Sequence, residues 1–101
     1  MQYETGYFEE ARLDVKEGKT WYRSQKKGLE KQFAEDIKTA IFRLREMPFT
    51  HAARYKNVRI AHLDKSPFSI HFYIDEADQK IVVIAILHNR RNPAIAYKRI
   101  E

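Results

Sequence analysis

The chain has 101 residues and no cysteine, so it fits one domain and contains no disulfide, thiolate metal site or cysteine nucleophile. Hydrophobic residues make up 44% of it, a globular rather than a disordered composition, and its longest apolar run, 81–87, is too short to span a membrane. Nineteen basic and 14 acidic residues give a net charge of +5, concentrated in the second half, which suits an acidic partner.

The first half of the sequence predicts one strand and two helices. Residues 2–7 alternate aromatic or β-branched residues with others, as a short strand does. From Glu9 onwards, small and apolar residues recur every three or four positions and predict a helix with one buried stripe, formed by Ala11, Val15, Gly18 and Tyr22. After a break at 24–28, the same period over Leu29–Leu44 predicts a second helix that Pro48 ends. The short connection favours an antiparallel helical hairpin.

The second half predicts strands, because the period of its apolar residues changes to two. Residues 58–63 and 68–74 alternate and are expected to be half-buried strands joined by a turn at 65–67. A third strand, 80–88, is apolar on both faces, so we expect it inside the sheet. Residues 94–101 form a short tail with room for a last helical turn.

These elements predict that residues 1–101 form a single α+β domain. Its order is an N-terminal strand, an antiparallel helical hairpin and a three-stranded antiparallel meander, with the hairpin on one face of the sheet.

Aromatic and basic residues are the candidates for binding a partner. Trp21 and Tyr22 are adjacent on a helix and point about 100° apart, so at most one is fully buried, and the other either packs on the surface or contacts a partner. Arg59 alternates with core residues and either points to solvent or reaches an acidic residue across the sheet. The densest basic group of the second half is either a solvated end or a surface for an acidic partner: His88, Arg90, Arg91, Lys98 and Arg99.

The four histidines do not have the spacing of a metal site. If the turn is centred on Ser66 and Pro67, His62 faces His71 across the hairpin, but two ligands without a third are weak evidence, so no metal is expected. Ser69 and Tyr73 are expected on the sheet surface. Since the first residues lack the apolar segment of a secretory signal, the expected location is the cytoplasm.

A set of short motifs marks the joints of these elements between Tyr3 and Pro93. In chain order they are Glu10-Ala11, Trp21-Tyr22, Gly28-Leu29, Met47-Pro48, Val58-Arg59, Pro67-Phe68, the run 81–86 and the segment 88–93. Together, in this order and at this spacing, they resemble the RelE/ParE superfamily of bacterial toxins from type II toxin–antitoxin systems. The resemblance is greater to the ParE branch, also called plasmid stabilisation proteins.

The resemblance implies one of two activities: RelE-like toxins cleave messenger RNA in the ribosome, whereas ParE-like toxins poison DNA gyrase. Cleavage of RNA without a metal needs a base, cations to hold the phosphorane charge and an acid. By resemblance, the groups here would be His88, Arg91 and Tyr97. Ser69, however, stands where RelE-like toxins carry an arginine, and a neutral hydroxyl does not replace a guanidinium against a phosphate.

We therefore expect a ParE-like toxin that has no catalytic chemistry or cofactor of its own, binds the DNA gyrase A subunit and is neutralised by a cognate antitoxin. By resemblance, the antitoxin carries an extended acidic segment that the basic second half attracts. The expected partner-binding residues are Trp21, Arg59, Arg90, Arg91, Lys98 and Arg99. A RelE-like endonuclease that acts on mRNA at the ribosome, and an inactive relative that keeps only antitoxin binding, are the alternatives.

Overall fold

The computed structural model describes residues 2–101 and contains the predicted elements in the predicted order. The first half holds strand β1 (Glu4–Tyr7) and the helices α1 (Glu9–Gln25) and α2 (Leu29–Glu46). The second half holds a 3-10 helix (Pro48–Thr50), the strands β2 (Ala53–Tyr55), β3 (Val58–His62), β4 (Phe68–Asp75) and β5 (Lys80–His88), and helix α3 (Ala94–Lys98). Within residues 2–101, no helix is both long and apolar enough to cross a membrane.

Helices α1 and α2 form the predicted hairpin because each has a continuous buried stripe. Ala11 and Gly18 of α1 are buried, as are the predicted stripe residues of α2, Phe33, Ile37, Ile41 and Leu44. Gly28, in the connection, has a φ of 103°, a left-handed conformation that strains any residue with a Cβ. The Glu30 carboxylate holds this connection by accepting hydrogen bonds from the Gly28 amide (2.8 Å) and from Arg23 Nε (3.1 Å).

The sheet has five strands in the order β1-β5-β4-β3-β2, so β5 is inside it, as its apolar character predicts. β1 pairs with β5 in parallel, and the other neighbouring strands are antiparallel. Strand β2 was not expected: its three residues are mostly exposed and show no apolar alternation. The predicted three-stranded meander is therefore the middle of a larger, mixed sheet.

The sheet is covered on both faces, and we name the faces by what covers them. α1 and α2 cover the hairpin face, whereas α3 covers part of the opposite face, the α3 face. Strand β5 contains a β-bulge. Phe72 lies opposite Val83 and His71 opposite Ala85, so Ile84 is an extra residue without a partner in β4. Ile84 and Ala85 consequently both lie in the α3-face cluster, and both are fully buried.

Two side chains occupy the edge of β5 beyond the end of β1. The pairing of β1 stops at Val83, and past that point Asp14 Oδ2 accepts a hydrogen bond from the Ile86 amide (3.0 Å). Arg99 donates to the Ile84 carbonyl (3.0 Å) and, through two nitrogens, to the Asp14 carboxylate (2.6 and 3.0 Å). The Asp14–Arg99 ion pair thus provides hydrogen-bond partners for the Ile86 amide and the Ile84 carbonyl, which lie beyond the end of β1. It also connects α1 and the end of α3 to β5.

The β3–β4 turn is one residue earlier than expected. The Leu63 amide donates to the Phe68 carbonyl (2.9 Å), which centres the turn on Lys65 and Ser66. Buried Asp36 of α2 fixes it there, because its Oδ2 accepts from the backbone amides of Lys65 (3.0 Å) and Ser66 (2.7 Å).

This turn position sets the register of the hairpin and corrects two expectations. His62 lies opposite Ser69 and His71 opposite Ile60, so the expectation that His62 faces His71 is wrong. Ser69 is not a sheet-surface residue either: it is buried, and its Oγ is hydrogen-bonded to His62 Nδ1 (2.6 Å) and to the Asn89 side chain. In the part of the chain that the structure describes, no three acidic or histidine side chains are grouped as metal ligands.

Candidate functional site

A groove between α1 and the C-terminal end of β5 brings three of the predicted site residues together. It encloses a cavity of about 230 Å³, and its walls include Trp21 from α1 and His88 and Arg91 from the end of β5 and the turn after it. Trp21 is 53% exposed, whereas Tyr22 packs into the core beside Phe33, so the two rings divide as predicted. We call this feature, with the adjacent Arg90, the α1–β5 groove.

The basic side of the groove is positioned by the turn that follows β5. The Asn89 amide donates to the Pro67 carbonyl (2.9 Å) and the Arg91 amide to the His88 carbonyl (2.9 Å), which fixes the path of the chain. The Arg90 amide donates to His88 Nδ1 (3.1 Å), so this nitrogen is an acceptor. Arg90 and Arg91 are exposed, and neither forms an ion pair within residues 2–101, so no carboxylate there offsets either guanidinium group.

The opposite wall of the groove is acidic and was not singled out from the sequence. Asp14, Glu17, Gly18 and Trp21 share one face of α1 and all line the cavity. Asp14 is neutralised by Arg99, which leaves Glu17 as the unpaired carboxylate of this wall. The helical spacing of these residues was a usable signal, because positions three, four and seven apart lie on one side of a helix.

Lys98 and Arg99, which the sequence groups with Arg90 and Arg91, have different surroundings. Lys98 is exposed on α3. The Arg99 side chain is only 16% exposed, and its hydrogen bonds to Asp14 raise its pKa further above the usual value. Since Arg99 is held inside the protein by Asp14, we leave it out of the partner-binding surface.

Arg59 lies on the hairpin face, away from the α1–β5 groove. It is paired with Phe72 of β4, and Phe72 lies opposite Val83, whereas the groove begins at Ile86, roughly 10 Å farther along β5. Its guanidinium donates to the His51 carbonyl and stacks over the Phe49 ring at 5.1 Å. Neither of the two expectations for Arg59, solvent or an acidic partner, describes this arrangement.

The three residues of the nuclease alternative are not brought together. His88 lies opposite Phe68, its ring packs edge-on against the Phe68 ring (5.3 Å), and Phe68 belongs to the hairpin-face core. Tyr97 lies on the α3 face, where its ring packs against Tyr55 (5.7 Å) and under the Lys56 ammonium (4.4 Å). His88 and Arg91 are therefore separated from Tyr97 by the sheet.

One family model matches most of the chain, and several solved structures share its fold. The family model described as "ParE toxin of type II toxin-antitoxin system, parDE" matches residues 7–93. A chain of the chromosomal ParDE system from P. aeruginosa is similar in structure with a TM-score of 0.70 and 20% identity, over 86% of this chain and 96% of that one. No curated protein matches the sequence.

Two further solved structures share the fold at lower identity. A chain of the RelBE2 toxin–antitoxin complex from Mycobacterium tuberculosis has a TM-score of 0.65 and 13% identity, over 87% of this chain and 99% of that one. A mutant of the E. coli toxin RelE in the free state has a TM-score of 0.62 and 15% identity, over 98% and 94%. At these identities the structural likenesses establish the fold alone.

Proposed function

Because this chain belongs to the family of ParE toxins of type II toxin–antitoxin systems, we propose that it acts by binding the A subunit of DNA gyrase and that a cognate antitoxin neutralises it. The family match over residues 7–93 is the observation that carries this proposal. The cytoplasm is the compartment in which both partners would be met.

The arrangement of the predicted nuclease groups supports a toxin that binds rather than cleaves. General acid–base cleavage requires both proton-transfer groups within hydrogen-bond reach of one phosphodiester. His88 and Tyr97 lie on opposite faces of the sheet, and Ser69, at the position of the RelE arginine, is buried and uncharged. This separation of His88 from Tyr97 argues against RNA cleavage by those residues.

The α1–β5 groove is the site that we propose for the antitoxin. Arg91 lines a cavity beside a half-exposed indole, and Arg90 precedes it in the same exposed turn; neither forms an ion pair within residues 2–101. Arginine and tryptophan are the residue types that dominate binding energy at protein interfaces. An acidic segment with apolar side chains fits this combination, and the charges would speed its approach.

A pulse-labelling experiment distinguishes the two targets. The protein is induced in a bacterial host without antitoxin, and thymidine and methionine incorporation are followed over the first minutes. We expect DNA synthesis to fall first, and the purified protein to bind gyrase A and inhibit supercoiling. If protein synthesis falls first, the gyrase proposal is wrong; if neither falls, this chain is an inactive relative.

A RelE-like endonuclease is the second candidate, and one observation favours it. Tyr97 lies beside Lys56 on the α3 face, and the neighbouring Tyr55 hydroxyl is hydrogen-bonded to His71 Nδ1 (3.0 Å). This places a cation and a phenol together on a sheet face. A nuclease that uses Tyr97 predicts that Tyr97→Phe abolishes toxicity while Tyr73→Phe, on the same face, does not; a fully toxic Tyr97→Phe protein would argue strongly against it.

A further inference from the structure

A hydrogen-bonded chain of three polar side chains joins the turn after β5 to the β3–β4 hairpin. Ser69 of β4 is 3% exposed, and its Oγ contacts the side-chain oxygen of Asn89 and, at 2.6 Å, His62 Nδ1. Ser69 lies opposite both His62 of β3 and Leu87 of β5, at the end of the sheet where the chain leaves β5. A buried hydroxyl therefore lies at the base of the segment 88–91, which we call the β5 turn.

The donors and acceptors of this chain follow from the chemistry of each group. The Asn89 side-chain oxygen can only accept, so it takes the single proton of the Ser69 hydroxyl. Ser69 Oγ then accepts from His62 Nδ1, so neutral His62 has its proton on Nδ1. His88 Nδ1, in contrast, accepts from the Arg90 amide (3.1 Å), so neutral His88 has its proton on Nε2. The two histidines are therefore expected to be opposite tautomers.

Asn89 is the residue through which Ser69 acts on the β5 turn. The Asn89 amide donates to the Pro67 carbonyl (2.9 Å), and its side-chain oxygen accepts from Ser69, so this residue is held at two points. Asn89 directly precedes Arg90 and Arg91, and neither arginine has an ion pair within residues 2–101 that would hold it. With the backbone bond alone, the turn could rotate about that contact. The second bond, from a buried donor, fixes its orientation.

We propose that Ser69 is a positioning residue of the α1–β5 groove: by donating to Asn89, it orients the two arginines of the β5 turn for an acidic segment. This role rests on the proposed function, in which the groove binds the antitoxin. A partner that meets an ordered turn loses less conformational entropy than one that must first order it. The hydroxyl should therefore raise affinity although Ser69, being buried, does not contact the partner.

The first test measures the hydrogen-bonded chain in the free protein. Long-range proton–nitrogen correlation spectra at about pH 8, where imidazole is neutral, should show His62 with its proton on Nδ1 and His88 with its proton on Nε2. Ser69→Ala should remove the preference of His62 and lower the backbone order parameters of residues 89–91, while His88 is unchanged. A proton on Nε2 of His62 in the wild type, or a turn that is equally ordered in Ser69→Ala, would overturn the proposal.

Binding of a synthetic peptide tests the consequence for affinity. The probe alternates leucine and glutamate, the chemistry proposed for the antitoxin segment, and the fluorescence of Trp21, the single tryptophan, reports binding because this ring lines the groove. Ser69→Ala and Asn89→Ala are each expected to weaken binding about fivefold, and the double variant no more than either, because both remove the same bond. Ser69→Thr, which keeps the hydroxyl, should retain affinity. Additive losses would show two separate roles and overturn the proposal.

Thr5→Val is the matched control, since it also removes a buried hydroxyl. Thr5 Oγ1 has no hydrogen-bond partner within residues 2–101, and Thr5 is paired with Ile81, seven positions and roughly 23 Å from His88 along β5. Its peptide affinity should equal that of the wild type. Thermal unfolding checks that the variants fold. We expect Ser69→Ala to fold, because His62 and Asn89 are exposed and can bind water in place of the hydroxyl.

The charge reversal Arg90→Glu, Arg91→Glu separates this inference from the proposed function. If the reversal weakens peptide binding but Ser69→Ala does not, the positioning role is wrong. If the reversal leaves binding unchanged, or the peptide does not bind the wild type, the antitoxin site proposed above is wrong. The order parameters of residues 89–91 in Ser69→Ala then decide the positioning role by themselves.

Discussion

At the scale of single residues, the Asp14–Arg99 ion pair forms hydrogen bonds with the edge of β5 where no strand is paired with it. The two side chains are 10% and 16% exposed, and they bond both to each other and to the backbone of Ile84 and Ile86. If one partner is removed, the other is left as a buried charge without compensation, which is far more destabilising than loss of a surface pair. Removal of one partner of this pair is therefore expected to destabilise the protein more than removal of a partner from any other ion pair described above.

Asp14→Asn is predicted to lower the free energy of unfolding by about 3 kcal/mol, because it leaves the Arg99 charge unpaired. For a domain of this size the melting temperature should fall by more than about 10 °C. Urea and thermal unfolding followed by circular dichroism measure both. Glu17→Gln, three positions along α1, is the control and should have little effect; a loss below about 1 kcal/mol in Asp14→Asn would contradict the role given to the pair.

His71 makes stability depend on pH. It is buried on the α3 face beside Tyr55, and burial lowers its pKa to about 4 from the usual value of 6.5. Between these two values the unfolded chain binds more protons than the folded one, so folding is favoured above pH 6.5 and loses stability as the pH falls toward 4. Burial also lowers the pKa of His51, which adds to the effect in the same direction.

The wild-type protein is predicted to lose up to about 1.4 kcal/mol of stability per pH unit to His71 between pH 6.5 and 5.0. Urea unfolding at the two pH values measures the loss. His71→Gln should remove most of this difference, since it removes the titrating group, while His62→Gln, at an exposed position, should retain it. An unchanged difference in His71→Gln would show that other groups control the pH dependence.

At the scale of elements, the contact between α1 and α2 depends on a residue without a side chain. A Cβ built on Gly18 would lie 2.6 and 2.9 Å from ring atoms of Phe33. The Phe33 ring is itself packed between the rings of Tyr22 and Phe68, at 5.1 and 4.8 Å, and has little room to move. Gly18 therefore lets the two helices approach closely, in addition to lying on the buried stripe that the sequence predicts.

Gly18→Ala is predicted to destabilise the protein by about 1–3 kcal/mol, because overpacking outweighs the roughly 1 kcal/mol that alanine gains in a helix. Chemical denaturation measures it. Gly6→Ala is the control, since its Cβ would meet only Val82, at 3.9 Å, an ordinary contact. Equal stability of Gly18→Ala and wild type would mean that the hairpin relaxes around the added methyl group.

At the scale of the whole molecule, charged residues fall into two groups: those that bind other groups of the fold and those that are exposed without an ion pair. Glu30, Asp36 and Asp14 compensate or cap groups inside the fold, whereas Arg90 and Arg91 form no ion pair within residues 2–101. The turn after β5 is therefore a surface to which an acidic partner would be attracted.

The double change Arg90→Glu, Arg91→Glu is predicted to lower antitoxin affinity more than about tenfold, because it reverses the charge of the α1–β5 groove. Calorimetry or surface plasmon resonance at low and high salt measures this. Lys31→Glu with Lys38→Glu, two exposed positions of α2 with the same change in net charge, is the control. Unchanged affinity of the groove variant at low salt would refute the electrostatic explanation.

The sequence predicted part of the site, for reasons of chain proximity. Arg90 and Arg91 are neighbours of His88 in the chain, so their grouping needed no knowledge of the fold. Trp21 lies near His88 and Arg91 only because α1 packs against β5. Arg99 is not part of this surface because Asp14, 85 positions away in the chain, binds it.

Local patterns determined the elements, because a period of 3.6 or 2 and the turn residues between such runs act within a few positions of the chain. The helices, β3, β4, β5 and the family resemblance follow from that information alone. Tertiary structure decided what depends on distant segments: the parallel pairing of β1 with β5, strand β2, the bulge at Ile84, and the hairpin register that Asp36 fixes. In each case the backbone could form hydrogen bonds of similar energy in another pairing or register. Packing across the whole molecule therefore decides which pairing is formed.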